Sequence, residues 1–160
     1  MPTLIPQPPM RVEIAEDVVA TLRSALQLAG PREIGGVLMG EQIEPGHFRI
    51  VETSIDAETG GSAHFVRSPG AHAEALDAFF QRTGNAYDRF NYLGEWHSHP
   101  TFDVTPSRQD AGAMMELVHG ERGIDFAVLL IVRLGSIHSL VCSCTLFRRG
   151  FGPSAVEILE

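Results

Sequence analysis

Residues 94–110 read GEWHSHPTFDVTPSRQD, and within this stretch a strand runs out, a proline-broken loop follows and a helix begins. His97 and His99 stand two apart at the end of an expected strand, Phe90 to His97, so the two-residue repeat of a strand turns both imidazoles to one face. Asp110 follows in the first turn of an expected helix, Ser107 to His119, where its carboxylate can complete a three-ligand set. Two imidazoles and a carboxylate suit Zn2+ and leave a fourth position for water. An open position marks a catalytic zinc, because the bound water then ionises with a pKa of about 7. The same residues have a plainer reading. Ser107-x-x-Asp110 has the form of a capping box, and Thr105-Pro106 offers a competing N-cap and first helical residue. Capping and ligation are compatible for one aspartate. From this composition, H-x-H-x7-S-x2-D arises by accident in roughly one such sequence in a thousand.

Upstream, Ile14, Val18, Val19, Leu22, Ala25, Leu26 and Ala29 recur at helical spacing and stop at Gly30-Pro31, which predicts a helix over residues 13–29. Ile34–Met39 and Phe48–Ile55 predict a strand pair turning at Pro45-Gly46, and His64–Val66 a third short strand. A second helix is expected over Pro69–Thr83, with Ala73, Leu76, Phe79 and Phe80 inward. Phe126–Val132 and Ser139–Phe147 complete the pattern as a hairpin around Gly135. Helices alternating with strand groups imply an α/β fold around a mixed sheet.

The 160 residues fit one domain, expected over 12–160 behind an extended proline-rich lead-in at 1–11. Twenty carboxylates against 12 cations leave a net charge of −8, which argues against a nucleic-acid partner. All the cations are arginine, so no lysine Schiff base, lysine general base or P-loop lysine can operate. The longest apolar run, Phe126–Val132, falls far short of the ~20 residues a membrane span needs. Residues 1–11 lack the charged start and apolar core of a signal peptide. With Cys142 and Cys144 read as packing residues on one strand face, this makes the expected compartment the cytoplasm. Trp96 alternates away from the histidines and is expected in the core. His47, His64, His72, His119 and His138 have no ligand spacing.

Hydrolysis also needs a carboxylate to move protons, and Glu33, Glu41 and Glu95 are the near candidates. Composition and spacing do not choose among them. The run Glu33-Ile-Gly-Gly-Val-Leu-Met-Gly40, followed by His97-Ser-His99-Pro100, Ser107 and Asp110, resembles the JAMM (MPN-plus, JAB-like) metallopeptidase family over about Val12 to Phe147. That pattern is a glutamate heading the first strand, then H-x-H-P-x6-S-x2-D. The resemblance implies a cytidine-deaminase-like fold, a curved mixed β-sheet flanked by helices. It also implies one Zn2+ held by His97, His99 and Asp110. Glu33 would be the general acid/base, and Ser107 a donor to the oxyanion or the water. With little room for an insertion between Gly112 and Asp125, the chain resembles compact prokaryotic members. Such members are thought to cut after the C-terminal Gly-Gly of a ubiquitin-like or sulfur-carrier protein, trimming a tail or undoing a conjugate. The alternatives are a zinc-retaining scaffold module and a zinc hydrolase of a small amide. The deaminase signature H-x-E with P-C-x-x-C is absent.

Overall fold

A computed structural model describes residues 5–56, 69–120 and 123–159, with the side chains of 69–72 left aside. In chain order the elements are β1 (Arg11–Ile14), α1 (Glu16–Ala29), β2 (Gly35–Glu44), β3 (His47–Thr53), α2 (Pro69–Arg82), β4 (Phe90–Ser98), α3 (Arg108–His119), β5 (Phe126–Leu134), a 3-10 turn (Ser136–His138), β6 (Leu140–Arg148), β7 (Ser154–Ala155) and β8 (Glu157–Leu159). The strands form one sheet in the order β7-β6-β5-β4-β2-β3-β1-β8. Parallel pairs at β4/β5, β1/β3 and β1/β8 make it mixed.

The sheet curves until its edges nearly meet. β7 and β8 are consecutive in sequence yet lie on opposite edges, and the residue between them, Val156, donates its N–H to the Cys144 carbonyl at 3.0 Å. Glu157 then donates to the Met10 carbonyl at 3.0 Å, so one short segment ties β6 to β1.

Alternation along the central strands sends side chains into two cores. Val128, Leu130 and Val132 of β5 face α1, where Val18, Leu22 and Leu26 form the buried stripe. Ala127, Leu129 and Ile131 face α3 through Met114 and Val118. Phe79 of α2 covers Val37 and Met39 of β2. Trp96 is fully buried on the α1 side, its indole N–H donating to the Ser54 carbonyl at 2.9 Å. Gly94 has a packing reason to be glycine: a Cβ there would lie 2.0 Å from the Val128 carbonyl oxygen. Cys142 and Cys144 are free thiols packed in or against the α1-side core, as expected from their strand face. No helix among the described residues is long and apolar enough to cross a membrane.

Two departures from the sequence pattern stand out. Residues 13 and 14 belong to β1, not to a helix, and α1 starts at Glu16. Val12 and Ile14 are partnered with Phe48 and Ile50 across a parallel ladder, a two-residue repeat that merges into the helical spacing further on. Just ahead of β1, Met10 is fully buried in the main core and Pro6 is also buried. The C-terminal strands β7 and β8 had no sequence signal, being only two and three residues long. The strand expected at His64–Val66 lies outside the described residues.

Candidate metal centre

β4 carries His97 and ends at Ser98, with His99 just beyond. The Ser98 N–H donates to the Ile34 carbonyl at 2.9 Å and its hydroxyl accepts from the Ile34 N–H at 3.0 Å. This clamp continues the antiparallel ladder in which Gly35 faces His97. Glu33 therefore sits across from His99, on the sheet face that the two histidines share. It is 3% exposed.

The loop after His99 folds back over that face. Its Asp103 carbonyl lies 2.6 Å from His99 Nδ1. The Phe102 ring stacks on the His99 imidazole with centroids 4.1 Å apart. The Val104 carbonyl accepts from Ser143 Oγ of β6, which fastens the loop to the sheet. α3 then begins with a complete capping box. Ser107 Oγ accepts from the Asp110 N–H at 3.0 Å, and Asp110 Oδ2 accepts from the Ser107 N–H at 2.8 Å. The cap fixes Asp110 and points it at the histidines: Oδ1 lies 3.2 Å from His97 Nε2, and Oδ2 3.3 Å from His99 Nε2. Burial pushes the Asp110 carboxyl up, but the neighbouring His97 imidazole, with the Ser107 amide and hydroxyl, outweighs this and holds it well below the usual carboxylate range.

A carbonyl oxygen can only accept, so His99 Nδ1 carries a proton and its Nε2, in the neutral ring, presents a lone pair. That lone pair faces a carboxylate oxygen. His97 Nε2 is buried, and its 3.2 Å contact with Asp110 Oδ1 lacks hydrogen-bond geometry. One ligand atom from each of His97, His99 and Asp110 lies within 4.8 Å of the others. Three ligand atoms this close together offer a site for a cation, and two imidazoles with a carboxylate suit zinc. A carbonyl holding the far nitrogen of a ligating histidine is the usual outer support of such a site. The donor set fits the ion.

The structure brings His97, His99 and Asp110 together, holds Ser107 against Asp110, and sets Glu33 on the same face. Of the other candidate glutamates, it sets only Glu41 apart. Glu41 is gripped by Arg89, whose Nε donates at 2.8 Å, with Arg49 at 3.6 Å. Glu95 shares the His97 face of β4 one alternation earlier. Two contributors carried little sequence signal. Asp103 acts through its main chain, which no side-chain pattern reports, and Phe102 shows only as a lone aromatic in a polar loop.

A family model for prokaryotic homologs of the JAB domain matches residues 15–143. Among solved structures, the solution structure of protein DSY2949 from Desulfitobacterium hafniense is similar in fold, with a TM-score of 0.68 at 20% identity over 92% of this chain and 91% of that one. A JAB1/MPN domain protein from Archaeoglobus fulgidus, AF2198, aligns over 96% of this chain and 100% of its own, at 15% identity and a TM-score of 0.46. No curated protein matches the sequence.

Proposed function

The chain belongs to the prokaryotic JAB domain family, and from that premise we propose that it is a zinc-dependent peptidase or isopeptidase. Its substrate in this reading is a ubiquitin-like or sulfur-carrier protein, cut after the C-terminal Gly-Gly. The observation that carries the reading is the convergence of His97 Nε2, His99 Nε2 and the Asp110 carboxylate, with one imidazole nitrogen buried and without a hydrogen bond.

His97, His99 and Asp110 would hold the ion, which when bound supplies Lewis acidity to a water and to the scissile carbonyl. Glu33 is the proton carrier: its carboxylate takes a proton from the attacking water and gives it to the departing amine. Burial of Glu33 keeps that exchange away from bulk solvent. Ser107 accepts the Asp110 N–H with its oxygen, and its own hydroxyl proton stays available to donate to a developing oxyanion. Asp103 and Phe102 fix the His99 ring, so its free nitrogen stays aimed at Asp110. In this reading the protein works in the cytoplasm, where its two thiols stay reduced.

The test uses the purified chain with a ubiquitin-like protein that carries a short extension after Gly-Gly. Wild type should bind one zinc and release the extension. His97→Ala with His99→Ala should lose both the metal and the cleavage. Full zinc content in that double variant would overturn the site. Zinc retained by wild type without cleavage would instead make the domain a zinc-retaining binding module.

A further inference from the structure

Arg133 stands near the end of β5. The parallel ladder pairs His97 with Ile131 and Ser98 with Val132, and the His99 N–H donates to the Val132 carbonyl at 3.0 Å. Arg133 therefore takes the next place, beside His99. Alternation puts it on the same face as Ile131, which packs in the α3-side core, and so on the side of the sheet where α3 presents Asp110. Its other neighbour across the ladder is Val141 of β6.

Among the described residues, Arg23, Arg32 and Arg108 have no ion pair, but all three are exposed to water. Arg11, Arg49, Arg82, Arg89 and Arg149 each lie against a carboxylate. Arg148 and Arg149 each have a buried Nε without a hydrogen bond, but Arg148 sits over the Phe151 ring and Arg149 lies against Asp125. Arg133 is half-buried, its Nε is buried with no hydrogen-bond partner, and among the described residues the guanidinium has no ion pair. A chain with 20 carboxylates and 12 arginines has acids to spare for it. A partly desolvated guanidinium without an anion is unfavourable, and its planar fork matches a carboxylate.

We propose that Arg133 is the anion-binding residue of this site and takes a carboxylate of the bound peptide. The inference rests on the peptidase reading for the identity of the ligand. The carboxylate has two sources in a peptide: an acidic side chain near the scissile bond, or the terminal carboxylate released by cleavage.

The experiment follows the binding of three probes to the full chain by NMR titration, with and without zinc. They are N-acetyl-Ala-Gly-Gly with a free carboxylate, the same peptide as its C-terminal amide, and N-acetyl-Glu-Gly-Gly amide. The zinc-free arm matters because the metal attracts carboxylates by itself. There, at least one charged probe should bind about tenfold more tightly than the neutral amide, the scale of a charge-assisted hydrogen bond. Which charged probe does so identifies the source. Arg133→Gln should erase the preference, and Arg133→Lys, which keeps the charge but not the fork, should retain part of it. Arg108→Gln, at an exposed arginine that opens α3, should leave it intact. Equal binding of charged and neutral probes overturns the proposal, as does a preference that survives in Arg133→Gln or falls equally in Arg108→Gln. If the zinc-loaded chain binds through Arg133 but cuts no Gly-Gly extension, the peptidase reading falls and the carboxylate site stands. If it cuts the extension while Arg133→Gln leaves binding and KM unchanged, the reverse holds.

Discussion

Glu33 precedes β2 and Glu41 lies within it, and their surroundings divide their chemistry. Two arginines hold Glu41 in place, whereas Glu33 lies buried across the ladder from His99. Glu33→Gln should therefore keep zinc and fold while lowering turnover by at least about 10²–10⁴-fold, the range of general acid–base catalysis. Zinc analysis beside the cleavage assay checks both halves. Zinc loss would make Glu33 a ligand, and full activity would move the proton carrier to Glu95. At this scale the spacing of His97, His99 and Asp110 was readable directly, because strand alternation and the helix start decide where they point. Glu33 was readable only through family resemblance, since nothing local ranks one glutamate above another. The Asp103 carbonyl and the place of Arg133 beside His99 were not readable at all. Both depend on how the chain folds back or on register between distant strands, and neither leaves a local pattern.

α3 and β4 convert local rules into the position of the site. Ser107 caps the helix that aims Asp110, so Ser107→Ala should cost about 0.5–2 kcal/mol of stability, read by denaturant unfolding, and lower turnover as well. Ser107→Asp restores a cap but no hydroxyl donor. If the hydroxyl serves the reaction, stability should return in that variant and turnover should not. Gly94→Ala tests the other element. Its Cβ would run into the Val128 backbone, so β4 must move off β5, at a cost of about 1–3 kcal/mol or more and with weaker zinc binding. The helices and the central strands were legible because each buries a stripe of matching period. β1 was hidden because a four-residue strand ending in Ile14 blends into the apolar spacing of α1, and no side chain caps the start of that helix. β7 and β8 are too short for any period to show.

For the whole molecule, the proposed metal and the fold would be linked by mass action, because the three candidate ligands converge only in the folded chain. Zinc at about a hundred times its dissociation constant should add about 2.7 kcal/mol, a rise of roughly 5–10 °C in Tm for a domain of this size. Thermal melts with zinc and with chelator check this, and His97→Ala should show no difference between the two. The closure of the sheet has a different consequence, one of timing. β1 is made well before β8, yet β8 is one of its two parallel neighbours, and the Met10 carbonyl waits for the Glu157 N–H. At about 5–20 residues per second, the interval between making the two partners is on the order of ten seconds. Throughout it, the outer edge of β1 is an unpaired strand edge open to other nascent chains. The residues near 157 thus decide when those near 11 are safe from aggregation.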